Sequence, residues 1–135
     1  WRVAAARGIV CPTASDADLT VLTDPDELAL IRKLSMFPEM LEASALAFEP
    51  HRLTYYLQQL AALLHTFYNK HRILPPAADR DLLAATPDGL TASDVPQKET
   101  PTPERTAARL ALMSGVQQVL KNGLAVLGIS APDQM

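Results

Sequence analysis

The sequence predicts an all-α protein, a helical bundle of about five helices interrupted by a long Pro-rich loop. Three observations predict this class. Leu53, Leu57, Leu60, Leu64 and Phe67 recur at alternating steps of four and three, the spacing of one buried helix stripe. Helix-start signals, Asp24-Pro25-Asp26-Glu27 and Thr102-Pro103, stand directly before periodic stretches. No segment alternates apolar and polar residues as a half-buried strand does, and there is no internal repeat. With 135 residues the chain fits one domain, and with only 5% aromatic residues its core must be built from Leu and Ala, which suits close helix packing.

The elements follow in order. Trp1 to Val10 reads as the end of a helix, and Cys11 to Thr23 as a loop rich in Pro, Ser, Thr and Asp. Asp24 can cap the next helix, Pro25 suits its first turn, and Glu27 can reach back as in a capping box. That helix runs to about Met36 and is expected to bury Leu28, Ile31 and Leu34. Phe37-Pro38 breaks it and opens another, with Met40, Leu41, Ala45 and Leu46 as its apolar face. Glu49-Pro50 starts the longest helix, to about Ile73, roughly 35 Å at 1.5 Å per residue. Leu74 to Pro103 carries Pro75, Pro76, Pro87, Pro96, Pro101 and Pro103, with Asp79 to Leu83 as a possible helical turn, and reads as a surface loop. Thr102 caps the final helix, which continues to Asn122, with Gly123 at the left-handed position after it.

Composition narrows the function. Cys11 is the single cysteine, so no intrachain disulfide can form and a reduced cytoplasm is the expected setting. No run of about 18 apolar residues is present, so no membrane span is expected. The chain begins with Trp1 and not Met, which suggests a fragment of something longer. Gly-rich phosphate loops, CxxC, HExxH and GxSxG are all absent from the sequence. His51, His65 and His71 are badly spaced for a metal site, so no metal is expected, and the carboxylates sit at helix starts where they serve caps and dipoles. No catalytic residue is expected in this chain.

Net charge is -3, yet residues 1–15, 50–78 and 105–132 contain no Asp or Glu. Arg2, Arg7, Arg52, Lys70, Arg72, Arg105, Arg109 and Lys121 lie in these stretches, eight of the twelve basic residues. If the stretches converge they form a positive face on an acidic protein; otherwise each base decorates a separate helix. Helical spacing puts His65, Tyr68 and Arg72 along one flank of the long helix. An exposed ring beside a guanidinium can stack on and bond to splayed single-stranded bases. The alternative is that Tyr68 completes the core edge while Arg72 sits at a helix C-terminus, where a cation is favoured. Arg105 and Arg109 project on the side of Leu112, Val116 and Leu120. Cations near a helix N-terminus oppose its dipole, so each wants a partner, and an ion pair or packed stem is the expected role of Arg109.

Three stretches resemble class I arginyl-tRNA synthetases in their C-terminal, all-helical DALR anticodon-binding domain: Leu34-Ser35-Met36-Phe37-Pro38-Glu39; Glu49 to Leu57 with Leu64 to Asn69; and Ala108 to Leu112, Gln118 to Gly123 and the Pro-x-x-Met terminus ending on Met135. In order and spacing they cover roughly two-thirds of the chain. Ala4-Ala5-Ala6-Arg7 is similar to the end of the family's first helix in this domain, although Val3 and Ala5 stand where an aromatic and a His are usual. The resemblance implies that residues 1–135 are an anticodon-binding domain, with 74–103 a lineage-specific insertion. It implies a partner, arginine tRNA, and a catalytic domain of the same chain that uses ATP and Mg and carries a HIGH-like motif absent here; the fragment itself needs no cofactor and is expected to be a monomer. By resemblance Arg7, Tyr68 and Met135 line the pocket for the middle anticodon base, and Arg72, His65 and Lys121 serve the tRNA backbone or secondary contacts. Two further readings from sequence are a protein-interaction bundle without an RNA role and the related domain of another class I synthetase.

Overall fold

A computed structural model describes residues 17–74 and 100–130, and all of their regular structure is helical. A 3-10 turn, Leu19–Val21, precedes four α-helices: α1 (Pro25–Ser35), α2 (Phe37–Leu46), α3 (His51–Lys70) and α4 (Pro103–Val126). The turn lies inside the stretch expected to be a plain loop, where Asp18 accepts from the Thr20 amide; the turn contacts α4, and Leu22 after it is buried in the core. The helix expected at Trp1–Val10, the possible turn at Asp79–Leu83 and most of the Pro-rich segment lie outside the described residues. Among the described residues no helix is long and apolar enough to cross a membrane.

Local chemistry sets the helix ends. At α1 the Asp24 Oδ1 accepts from the Asp26 amide at 2.9 Å, and the Asp24 amide donates to Glu27 Oε2 at 3.1 Å, the capping box read from the sequence. Met36 ends α1 and begins α2, with Pro38 in the first turn where its missing N–H costs nothing. The α2–α3 corner is a Schellman turn, with Phe48 N–H donating to Ala45 O and Glu49 N–H to Ser44 O. Phe48 occupies its left-handed position at φ 57°, and the residue is 92% exposed. The same turn closes α4, with Gly128 at φ 73°. Gly123 is therefore not the cap expected from sequence: α4 runs past it, and Gly123 lies buried inside the helix. A Cβ there would stand 2.6 Å from Leu57 Cδ2, so the missing side chain is what lets α4 approach α3.

α3 is the central element and touches α1, α2 and α4. Phe67 and Arg109 meet at one end of the α3–α4 pair, and Leu57 and Gly123 at the other, so the two helices are antiparallel. α1 is also antiparallel to α3, since Asp26 pairs with Lys70 and the Tyr56 hydroxyl donates to the Lys33 carbonyl. The expected stripe of α3 holds: Leu53, Leu57, Leu60 and Phe67 are buried and Leu64 packs beside them, joined by Tyr56. Two other faces differ from expectation. α1 turns Glu27 and Leu30 inward while Leu28 is exposed, because Glu27 is drawn in by arginines of α4. α2 keeps Met40 and Leu41 against the core but leaves Ala45 and Leu46 outside, since Ser44, whose hydroxyl donates to the Glu49 carbonyl at 2.7 Å, takes the inward position.

Candidate nucleic-acid interface

One pole of the bundle gathers the start of α1, the end of α3 and the start of α4. Its centre is Glu27, fully buried, accepting from Arg109 Nε at 2.7 Å and from Arg105 Nη2 at 3.3 Å. Burial alone pushes this carboxyl up, but the donors from Arg109, Arg105 and the Asp24 amide, with the Arg109 charge, outweigh it and hold it below the ordinary 4.5. Arg109, itself 2% exposed, also donates from Nη1 to the Arg72 carbonyl at 2.7 Å. Its guanidinium stands 5.6 Å from the centre of the Phe67 ring, and Phe67 stacks on His71 at 4.9 Å. His71 Nε2 lies 3.1 Å from Asp26 and 3.3 Å from Asp24, while Lys70 Nζ reaches Asp26 at 3.0 Å. The Lys70 and His71 bonds hold the Asp26 carboxyl below its usual 3.8.

These contacts explain why α3 stops at Lys70 and not near Ile73. His71 is extended (φ -112°, ψ 145°), drawn toward the α1 aspartates, and the Arg72 carbonyl is taken by Arg109. Arg72 is thus off the helix, and the flank expected to hold three residues holds two. His65 and Tyr68, one turn apart, are both exposed, Tyr68 by 62%, and Arg72 is half-buried in the segment beyond. Lys121 is exposed near the end of α4, at the level of the first half of α3, so antiparallel packing sets it roughly 10 Å along the axis from His65. Arg7 and Met135 lie outside the described residues.

The positive face weighed from the sequence is largely neutralised where described: Arg52 pairs with Glu49, Lys70 with Asp26, and Arg105 and Arg109 with Glu27. Asp24, Asp26 and His71 have one ligand atom each within 4.8 Å of one another, but a cation there would compete with the Lys70 ammonium. Sequence reasoning missed this cluster and the second role of Glu27. A signal for the latter was present: Glu27 shares the helical spacing of Leu30, Ile31 and Leu34, and Arg105 and Arg109 share that of Leu112 and Val116. A carboxylate on one core stripe and guanidiniums on another need each other.

The sequence profile of the DALR anticodon binding domain matches residues 9–86 and 92–135, nearly the whole chain. The chain belongs to this family. Among curated relatives, the arginine–tRNA ligase of Geobacter metallireducens is 43% identical over 135 residues, all of this chain and 20% of that protein. Those of Geotalea uraniireducens and Methylorubrum extorquens are 43% and 41% identical over 96% and 90% of the chain. The chain therefore spans about one-fifth of the length of the curated relatives it matches. No solved structure matches. The family match passes over residues 87–91 of the Pro-rich segment and includes both flanks. An RNA-free interaction bundle is not favoured by this membership.

Proposed function

We propose that residues 1–135 form the domain with which an arginine–tRNA ligase grips the anticodon stem and loop of arginine tRNA. A catalytic domain elsewhere in the full-length protein, using ATP and Mg, then joins arginine to the tRNA in the cytoplasm. The observation that carries this reading is 43% identity, across the entire chain, to proteins named arginine–tRNA ligase. Membership of an anticodon-binding family points the same way.

The chemistry suits the task. Arginine codons all have G in the middle, so the middle anticodon base is C. Cytosine offers O2 and N3 as acceptors and an amino donor. An Arg fork suits the acceptors, while a Tyr face and a Met thioether can sandwich the ring. In this reading Arg7, Tyr68 and Met135 form the pocket, and His65, Arg72 and Lys121 position the backbone. The exposure of Tyr68 and His65, side by side at the rim of α3, supports the part given to them. Filter binding of the full-length protein to arginine tRNA tests the reading. Tight, salt-sensitive binding is expected, and another tRNA should bind more weakly. Equal affinity for unrelated tRNAs would reject it.

A further inference from the structure

A fully buried Glu27 bonded to a 2% exposed Arg109 is an expensive arrangement for a small core. Well-packed apolar residues of similar volume commonly hold such a place as firmly. The pair therefore calls for an account beyond holding helices together, and its third bond supplies one. The same guanidinium that binds Glu27 through Nε donates through Nη1 to the Arg72 carbonyl at 2.7 Å. That carbonyl belongs to the second residue past the end of α3, outside the helix's own hydrogen-bond pattern. The guanidinium also lies 5.6 Å from the centroid of the Phe67 ring, the residue next to Tyr68, and Phe67 stacks on His71. One planar fork thus touches α1, the last turn of α3 and the backbone that leaves it.

We infer that Arg109, held by Glu27, is a positioning residue for the RNA-binding rim: it fixes where α3 ends and hence how Tyr68 and Arg72 are presented. The inference rests on the anticodon-binding reading given above. Arg109 does not touch the RNA. It acts through the Arg72 carbonyl and the Phe67 ring, and a fork of fixed geometry does this where a methylene stem or an ammonium cannot.

The test uses the full-length protein, with arginine tRNA as the probe, and measures the KM for tRNA, the kcat at saturating tRNA, and the melting temperature. The double variant Glu27→Met/Arg109→Leu replaces the ion pair by apolar bulk and leaves no lone buried charge, but the Asp24 amide, Arg105 and the Arg72 carbonyl each lose a partner, so it is expected to stay folded and melt below the wild-type temperature. Its KM for tRNA should rise about tenfold with kcat little changed, since a misplaced contact residue weakens binding even far from the chemistry. Arg109→Lys guards against a folding failure: it keeps a charge for Glu27 but cannot hold the Arg72 carbonyl in the same fork, so KM should rise here too. A folded double variant or Arg109→Lys with wild-type KM, whatever its melting temperature, overturns the inference. Tyr68→Ala separates the two levels. If it raises KM while the Arg109 variants do not, the positioning role alone fails; if it leaves KM unchanged, the rim itself is not the RNA contact.

Discussion

Glu27→Gln removes one negative charge from the centre of the bundle and leaves Arg109 buried without its counter-ion. Gln can still accept a hydrogen bond, so the change isolates charge from shape. Breaking a buried pair by altering one partner costs about 3–5 kcal/mol, at least about a fifth of the ~5–15 kcal/mol that stabilises an ordinary domain. The pH dependence gives a sharper test. The folded-state carboxyl of Glu27 is held below the ordinary 4.5, so the unfolded chain takes up a proton at higher pH than the folded one. Its contribution is complete above the unfolded value and is lost as pH falls through the lowered folded value. Asp26, lowered by Lys70 and then His71, acts in the same direction. Urea unfolding at a series of pH values from about 7 to 3 measures this. Wild-type stability should fall steeply toward the acid end, and Glu27→Gln should start lower and fall less. Parallel curves for the two proteins would refute the claim that Glu27 is ionised and paired in the core.

Two glycines of α4 should behave oppositely. At Gly115 a Cβ would meet Leu34 Cδ1 at an ordinary 3.5 Å, so Gly115→Ala should stabilise the chain by about 1 kcal/mol through helix propensity. At Gly123 the same Cβ would fall 2.6 Å from Leu57, so Gly123→Ala should show a net loss of about 1 kcal/mol in urea unfolding despite the propensity gain. Phe48 is left-handed and 92% exposed, so Phe48→Gly should raise stability by about 1 kcal/mol, and a loss would show that the ring has a partner. The Tyr56 hydroxyl donates to the Lys33 carbonyl, so Tyr56→Phe should lower stability by about 1 kcal/mol.

The parts of the fold legible in the sequence are those that local chemistry decides. The Asp24 capping box, the Pro38 break, the Thr102 cap and the stripe from Leu53 to Phe67 all stand where the residues put them. The misreadings come from contacts between distant segments. Gly123 looks like a cap because Gly ends helices, but its meaning lies in Leu57, 66 residues earlier. Sequence carries α3 to about Ile73 because nothing local stops it; Asp24, Asp26 and Arg109 do, through His71 and Arg72. For the same reason Arg72 left the flank shared by His65 and Tyr68, the part of the candidate site that helical spacing alone could reach. The inward turn of Glu27 was half legible: its cap was read, and its second partner required knowing that α1 and α4 meet.

Discrimination at the middle anticodon base tests the central claim most directly. The full-length protein and its Tyr68→Ala variant would each be titrated with arginine tRNA carrying C or G at that position, at one fixed salt concentration. The account predicts that C→G weakens wild-type binding by about tenfold, in line with the ~1–3 kcal/mol of discrimination that a bidentate contact to one base edge is worth, and that Tyr68→Ala, whose pocket no longer holds the base flat against the Arg fork, loses most of this preference. Wild-type protein that binds both tRNAs equally, or a Tyr68→Ala variant that discriminates as well as wild type, would contradict it.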